Sequence, residues 1–314
     1  MHTFSYTMAS SSSSSSKASK RKAAEISVVT SEEIQPQTTC SSSSTAAAIK
    51  ADNQFPYNPK RSRNLYNPSE PFKLSRSKLE NAIQCQVCSQ LDLKYGLTPP
   101  PGYPFSLNNA VDELQKKDFN KYRKEQKAHP LFVENNIDAI PFEHADIAKW
   151  QNALSQGVKS KEIPGTNIFL QGGIDDVVIH QETKKLHVVD YKATSKKGEV
   201  SLDAPWQDSY KRQVEVYQYN FRDNGFDVSD TAYFPYSNAN KEAESFDNKL
   251  DFKTSLLPYE GNTAWIQPTV VAVYQRLQSD IIPSDTQAQK LSAQCAMCLY
   301  FKRRTELMAK HSGK

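Results

Sequence analysis

Two aspartates and a lysine stand close together along this chain and have the residue types of a divalent-metal site. Asp175 follows soon after Gly172 and Gly173, and Asp190 and Lys192 end a run that is otherwise apolar. A carboxylate and an ammonium are costly to bury at the end of an apolar strand unless a partner such as a metal ion offsets their desolvation. Converging carboxylates repel each other unless a hard cation lies between them, and Mg²⁺ binds few carboxylates together with water and phosphate oxygens. The pattern therefore predicts a magnesium-type site, with Lys192 facing the same substrate.

The aspartates lie on two segments that have the pattern of β-strands joined by a tight turn. Residues 168–180 and 185–193 are rich in β-branched and apolar side chains, and the four residues between them include no apolar side chain. Antiparallel pairing of these strands brings Asp175 and Asp190 together. Side chains alternate along the second strand, so that one face carries Leu186, Val188, Asp190 and Lys192. The alternative interpretation is a surface hairpin with an ion pair at the strand end.

A helix is predicted after the hairpin, from Pro205 to about Asn224, with Gly225 as its stop. Gln213 and Tyr217 are one turn apart and share a face of this helix. If that face packs against the sheet, the Gln amide can orient a metal-bound water or a phosphate while the Tyr hydroxyl holds its partner. The alternative is an aromatic core stripe that includes one satisfied amide.

Three short motifs follow one another in this region: Gly172-x-x-Asp175, Asp190-x-Lys192 and Gln213-x-x-x-Tyr217. In this order they resemble the PD-(D/E)XK nuclease superfamily, in its RecB-type branch. The resemblance implies a restriction-endonuclease-like core, which is an α/β domain whose mixed central sheet is flanked by helices. The nuclease site is then expected at one edge of the sheet.

The resemblance also implies a role for each residue of these motifs. Asp175, Asp190 and the backbone carbonyl of Tyr191 would hold Mg²⁺ or Mn²⁺, and Lys192 would position the attacking water or stabilise the transition state. Gln213 and the tyrosine one turn later would complete the substrate side. The expected activity is metal-dependent hydrolysis of phosphodiester bonds.

DNA is the expected nucleic-acid substrate, cut by an exonuclease of the RecB type, and the sequence does not indicate whether a helicase or a repair protein is a partner. A second hypothesis is a catalytically weak nucleic-acid-binding protein that uses the nuclease fold. The intact set of two aspartates and one lysine argues against it, because lost activity would leave no reason to retain all three charges. A third hypothesis is a structural metal-binding protein.

A further metal ligand, usually His, comes from an upstream helix in many RecB-type enzymes, and this chain has no clear match. The candidates are Asp112, on a helix predicted to start at Ser106, and His129, which follows that helix. For both residues, a surface or capping role is the competing interpretation.

The cysteines form a second group of metal-ligating residues. Cys85/Cys88 and Cys295/Cys298 are two C-x-x-C pairs, and Cys40 lies alone near the N-terminus. Two such pairs predict one four-thiolate site that ties the first helix to the last segment. The RecB-type resemblance implies a [4Fe-4S] cluster held by cysteines on both sides of the nuclease motifs. Those proteins usually contribute one cysteine upstream and three downstream, so the two-plus-two arrangement leaves Zn²⁺ open.

Length and composition limit the number of domains. The chain has 314 residues, 38% of them hydrophobic, which suffices for one buried core. Residues 1–70 contain two serine runs and few large apolar side chains, so they are predicted to be a disordered tail, and residues 71–314 to be the nuclease-like domain. The tail holds 8 Lys+Arg and 5 Asp+Glu, which leaves a nearly neutral domain with 31 and 30. Overall basicity is therefore not the argument for nucleic acid.

Targeting signals point in two directions. The first 24 residues fit an organellar transit peptide, while the Lys-Arg-Lys run within them fits a nuclear signal, and the third interpretation is a linker or tail with neither role. No stretch reaches the ~18 apolar residues of a membrane span, so a soluble intracellular protein is expected.

Hydrophobic periodicity predicts the remaining elements. Ser77-x-x-Glu80 has the pattern of a capping box that starts a helix running into Cys85. Buried stripes are predicted for the helix from Ser106 (Leu107, Ala110, Val111, Leu114, Tyr122) and for a helix over 146–154 (Ile147, Trp150, Leu154). Strands at 231–236 and 249–257 precede a helix at 268–278, with Val270, Val273 and Leu277 inward.

Overall fold

The computed structural model describes residues 64–99, 105–282 and 295–311. Most of the predicted tail, residues 1–63, lies outside these ranges, and so do both predicted targeting signals. The described residues all belong to one compact unit. None of the helices in these three ranges has the length and apolarity needed to cross a membrane.

Helices and strands follow one another mostly in runs of one type along the described chain. The strands are β1 (Phe72–Ser75), β2 (Ala139–Pro141), β3 (Val158–Glu162), β4 (Ile168–Gly172), β5 (Asp176–His180), β6 (Leu186–Val189), β7 (Lys192–Thr194), β8 (Thr231–Ala239) and β9 (Phe252–Glu260). The helices are α1 (Arg76–Gln84), α2 (Gln86–Tyr95), α3 (Ser106–Glu125), α4 (Pro130–Glu134), α5 (Ile147–Trp150), α6 (Asp208–Asp223), α7 (Ile266–Gln278) and α8 (Ala296–His311). A 3₁₀ turn, Pro205–Gln207, leads into α6.

The larger sheet is mixed and holds six strands. β2, β5 and β6 pair antiparallel, with Asp176 opposite Val189. β6 and β7 both run parallel to β8, at Val189 and at Lys192–Thr194, while β9 pairs antiparallel with β8 over its whole length. β6 and β7 are therefore two pieces of one strand that is interrupted at Asp190 and Tyr191. This mixed sheet with flanking helices confirms the predicted fold class.

A smaller sheet has the strand order β1-β4-β3. Its strand β4 is the first part of the segment that was predicted to be one long strand. The prediction of a continuous strand over 168–180 is wrong, because the chain leaves one sheet at Gly172 and enters the other at Asp176. Between them, a side chain on Gly173 would collide with the backbone of Ala153. The break brings the loop after α5 against the first residues of β5.

Two cores cover the faces of the larger sheet. Leu186 and Val188 of β6 belong to the core that α6 covers, whereas Val189 and Tyr191 belong to the opposite core, which contains Phe119 of α3. The predicted alternation of the second hairpin strand is therefore confirmed. On α7, Val270, Val273 and Leu277 are buried, as the periodicity predicted.

Three helix predictions are wrong in detail. α1 starts at Arg76 with Ser75 as its cap, and Glu80 bonds to Arg212 of α6 instead of closing a capping box. α5 spans only one turn, so Leu154 lies in the following loop and is exposed.

The third error concerns α3, because Leu107 and Leu114 lie on its exposed side. The stripe that faces the sheet is polar apart from Phe119. Its members are Asn108, Asp112, Gln115, Phe119 and Arg123. These residues recur at three- and four-residue steps, which is the same helical spacing that predicted the apolar stripe. Hydrophobicity alone selected the wrong face, since the inward face borders a polar cavity.

Truncation of either face of α3 tests this orientation. Phe119→Ala should lower the free energy of unfolding by about 3–5 kcal/mol, because it empties a fully buried position. Leu114→Ala, on the same helix, should change it by less than about 0.5 kcal/mol. Urea denaturation followed by circular dichroism measures both, and equal losses would contradict the described orientation.

Candidate active site

Asp175 and Asp190 meet where β5 and β6 reach the interruption of the sheet. Asp175 directly precedes β5, and its Oδ2 accepts a hydrogen bond of 2.9 Å from the backbone N–H of Tyr191. The backbone N–H of Asp190 donates to the carbonyl of Tyr233 in β8 at 3.0 Å. The predicted convergence of the two strands is thus present, and both carboxylates lie at the same end of the hairpin.

Asp190 is an unusual carboxylate because it is completely buried. Lys192 forms an ion pair with its Oδ2, yet neither oxygen accepts a well-directed hydrogen bond. Burial raises the pKa of the Asp190 carboxyl well above its ordinary value, against the opposing effect of Lys192. A buried carboxylate with unused lone pairs beside a second carboxylate is a donor set that fits a hard divalent cation.

Lys192 is held in the same place from three sides. Its ammonium lies against Asp190, donates to the carbonyl of Tyr191 at 3.2 Å, and lies 4.6 Å from the centre of the Tyr210 ring. The side chain is only 12% exposed. The ammonium therefore keeps a restricted position close to both candidate ligand groups.

α3 supplies further polar groups from upstream. Lys116 bonds to Asp112 at 2.8 Å and lies 3.5 Å from Asp175. Burial and the nearby Asp175 carboxylate raise the pKa of Asp112. Burial alone would lower the pKa of the Lys116 ammonium, but the carboxylates of Asp175 and Asp112 raise it. Gln115 donates to Ser237 at 3.2 Å, while its buried carbonyl oxygen has no hydrogen-bond partner.

The two upstream candidates therefore have different positions. Asp112 borders the cavity together with Asp175. His129 instead caps α4 through its Nδ1, bonds to Asp118 at 2.9 Å and stacks on Phe119. The capping interpretation applies to His129 and not to Asp112.

The Gln–Tyr pair of α6 lies beside this site but bonds to other protein groups. Gln213 accepts a hydrogen bond from Arg76 of α1 and donates to the Tyr217 hydroxyl at 3.3 Å. The Tyr217 ring occupies the space that a side chain at Gly172 would need. Gly172 therefore allows the close approach of α6.

Arg76 was missed by the sequence analysis. Its charge acts on Asp190, Tyr210 and Tyr217, which places it in the electrostatic field of the site. In the sequence, Arg76 lies 137 residues before its partner Gln213. No local pattern in the sequence marks such a distant contact.

Several of these groups line a cavity of about 270 Å³, and its lining does not include the buried Asp190 or Arg76. Its lining residues are Asn108, Asn109, Asp112, Gln115, Asp175, Tyr191, Lys192, Ala193, Tyr210 and Gln213. Carboxylates, amides and an ammonium around one small polar space can hold a cation, a phosphate and a water molecule together.

A second set of buried groups supports Tyr191 from below. Its hydroxyl donates to Asp176 at 2.9 Å, and Arg123 pairs with the other oxygen of the same carboxylate. Burial raises the pKa of Asp176 to about 6, despite the neighbouring guanidinium. Arg123 also donates to the carbonyl of Phe142 at 2.9 Å. The adjacent aspartates thus differ in position, since Asp175 borders the cavity and Asp176 is fully buried.

The four paired cysteines come together at another place in the fold. Cys85 lies between α1 and α2, Cys88 in the first turn of α2, and Cys295 and Cys298 at the start of α8. Their sulfur atoms all lie within 4.8 Å of one another, and no other His, Cys, Asp or Glu group of three or more in the described ranges is as close. Burial raises the pKa of the Cys88 and Cys298 thiols, which a bound metal would reverse. The group can hold a metal ion.

A sequence model of the PD-(D/E)XK nuclease superfamily matches residues 70–303. The chain belongs to this superfamily. The matched span includes all three motifs and both cysteine pairs. No curated protein matches the sequence.

Two solved structures show distant similarity to this superfamily member. The crystal structure of SSO0001 has 12% sequence identity and a TM-score of 0.31, and the match covers 72% of this chain and 86% of that one. LHK-Exo in complex with dAMP has 12% identity and a TM-score of 0.30, with 75% and 94% covered. The family assignment rests on the sequence match, because scores of this size say little about shared architecture.

The buried support of Tyr191 can be tested by stability. Tyr191→Phe should lower the free energy of unfolding by about 1–3 kcal/mol, because it leaves one oxygen of the buried Asp176 without its donor. Tyr95→Phe removes an exposed hydrogen bond from the hydroxyl to the backbone carbonyl of Asp280. It should lower the free energy of unfolding by less than about 0.5 kcal/mol. Equal melting temperatures for the two variants would contradict the role of this network.

Proposed function

We propose that this protein is a metal-dependent nuclease that hydrolyses phosphodiester bonds in DNA, an exonuclease of the RecB type whose catalytic domain is residues 71–314. One observation carries the proposal: the fully buried Asp190 carboxylate, unsatisfied by hydrogen bonds, lies beside Lys192 and at the same end of the hairpin as Asp175. The superfamily supports nuclease chemistry. The order of the three motifs supports the RecB-type assignment.

Asp175, Asp190 and the carbonyl of Tyr191 would hold Mg²⁺ or Mn²⁺, and Asp112, which lines the same cavity, would be a further oxygen ligand. A bound divalent cation would polarise the phosphate and lower the pKa of the attacking water. The carboxylates keep the cavity selective for hard cations, since oxygen ligands suit Mg²⁺ and Mn²⁺. The Asp175 backbone is fixed by Gln151, which donates to its carbonyl at 2.8 Å.

Two cationic side chains would act on the phosphate. The Lys192 ammonium would stabilise charge that develops in the transition state, because it is mostly buried and already held in position by Asp190 and the Tyr191 carbonyl. Arg76 would bind a phosphate oxygen, and Gln213 would position Arg76 rather than a water molecule, since both polar ends of its amide already bond to protein groups. Tyr217 completes this chain of bonds.

Incubation with DNA of different forms tests the proposal directly. Purified protein should degrade linear DNA with Mg²⁺ or Mn²⁺, should leave covalently closed circles intact and should be inactive with EDTA. Cleavage of closed circles would indicate an endonuclease. Metal-independent binding without any cleavage would favour the alternative of a nucleic-acid-binding protein on the nuclease fold.

Lys192→Ala should reduce the cleavage rate by about 100-fold or more, because it removes a charge that acts in the transition state. Asp190→Asn should have at least this effect and should also remove the increase in melting temperature that Mn²⁺ gives the wild type. Lys185→Ala is the matched control, since this exposed lysine lies at the other end of the same hairpin strand. Undiminished turnover in Lys192→Ala would refute the assignment of the site.

For the cysteine group, we infer that the bound metal is one Zn²⁺ ion. The sulfur atoms of Cys88 and Cys298 lie 3.4 Å apart, those of Cys85 and Cys298 3.6 Å, and those of Cys88 and Cys295 3.8 Å. A tetrahedral ion with Zn–S bonds of ~2.3 Å separates its sulfurs by ~3.8 Å. The [4Fe-4S] cluster implied by the family resemblance would need wider spacing, because each thiolate binds a different iron.

Metal analysis of the purified protein should therefore find about one zinc and no iron per chain, in a colourless solution. Cys88→Ser should lower both the zinc content and the stability, by about 3 kcal/mol or more, because metal binding contributes directly to folding. Cys40→Ser, outside the described residues, should change neither. A brown protein that contains iron would assign the iron–sulfur cluster to this site instead of zinc. A folded protein without any metal would rule out both.

A further inference from the structure

An exposed tryptophan lies next to the candidate active site. Trp206 sits in the 3₁₀ turn before α6 and is 59% exposed. Its ring meets the Tyr210 ring edge to face, with centres 5.4 Å apart and planes at 87°. A tryptophan is a large apolar side chain and would normally be buried. The core contacts of α6, however, are made by Tyr217 and Phe221. Packing of the core therefore does not explain Trp206.

The turn that carries Trp206 is held rigidly. The buried Gln207 accepts from the N–H of Ala204 at 2.9 Å and donates to the carbonyl of Ser201 at 2.6 Å. Ser209 closes the turn from the other side with a bond of 2.9 Å to the carbonyl of Trp206. Because the backbone of this turn is already held, little of its conformational entropy is lost when a ligand stacks on the Trp206 ring.

Tyr210 connects this tryptophan to the site. The ring of Tyr210 lines the cavity, and its centre lies 4.6 Å from the Lys192 ammonium. Two successive contacts, of 5.4 Å and 4.6 Å, thus lead from the Trp206 ring to the ammonium.

We propose that Trp206, supported by Tyr210, is a stacking platform for an unpaired nucleobase next to the phosphate in the cavity, so that the nuclease takes its substrate as a single strand. This inference rests on the proposed function and adds the form of the substrate. Base-on-aromatic stacking tolerates any sequence because every base has a π face.

The small cavity and the exposed ring together favour an unpaired strand. A cavity of about 270 Å³ admits a phosphate with its sugar but has no room for a base pair. In a duplex, base faces are covered by neighbouring pairs everywhere except at the two ends. Away from a duplex end, a base that stacks on Trp206 while its phosphate lies in the cavity must therefore have left its partner strand, and a blunt duplex tests the remaining case of an end pair.

Binding measured without hydrolysis tests the platform. In the Asp190→Asn background with EDTA, a fluorescein-labelled single-stranded oligonucleotide should bind about tenfold more weakly after Trp206→Ala. Trp206→Phe should restore affinity to within about threefold, because it keeps an aromatic face. Phe246→Ala, which removes another exposed aromatic side chain, should leave affinity unchanged. A blunt duplex of the same sequence should bind equally well to all variants.

Tryptophan fluorescence supplies a second readout on the same samples. Single-stranded DNA should quench the emission, and Trp206→Phe should abolish the quenching, since Trp150 is buried and Trp265 is bonded to Glu215. Unchanged affinity in Trp206→Ala, or an equal loss with the blunt duplex, would overturn the inference. If either of these results is obtained and the wild-type protein cleaves DNA, the stacking platform alone is refuted. A wild-type protein that never cleaves DNA refutes the proposed function instead.

Discussion

A fully buried carboxylate at a broken strand is the constraint on which the candidate site depends. Asp190 interrupts the ladder between β6 and β7, where the fold provides Lys192 as a counter-charge but no hydrogen-bond donors. Burial of a charge without partners is costly, and removal of one member of a buried pair costs several kcal/mol. The surrounding elements are arranged so that further charges lie near this point: Asp175 directly before β5, Asp112 and Lys116 on α3, and Arg76 on α1.

Two consecutive aspartates take opposite roles because β5 begins between them. Asp175 borders the cavity, and Asp176 points into the sheet, where Arg123 and the Tyr191 hydroxyl satisfy it. Tyr191 is thereby held at both ends, with its backbone N–H on Asp175 and its hydroxyl on Asp176. This double anchor fixes the carbonyl that is proposed as a metal ligand. The catalytic proposal thus depends on a buried network that touches no substrate.

Local patterns in the sequence determined the parts of the site that lie close together along the chain. Period-2 alternation placed Val188 and Tyr191 on opposite faces, and the spacing of one helical turn placed Gln213 beside Tyr217. Cysteine spacing was also sufficient to predict one four-thiolate group, since C-x-x-C pairs are local ligand units. The superfamily followed from the order of the motifs, because each motif is a short stretch with its own chemistry.

Only the tertiary structure decided which distant groups join this site. Arg76 reaches Gln213 across 137 residues, and no short-range periodicity contains that contact. The orientation of α3 was also undetermined, because its polar stripe through Asp112 and its apolar stripe through Leu114 have equally good helical spacing. Burial normally selects the apolar face, but here the inward face borders a charged cavity, so the polar stripe turned inward. Local spacing determines which side chains share a face, and packing determines where that face points.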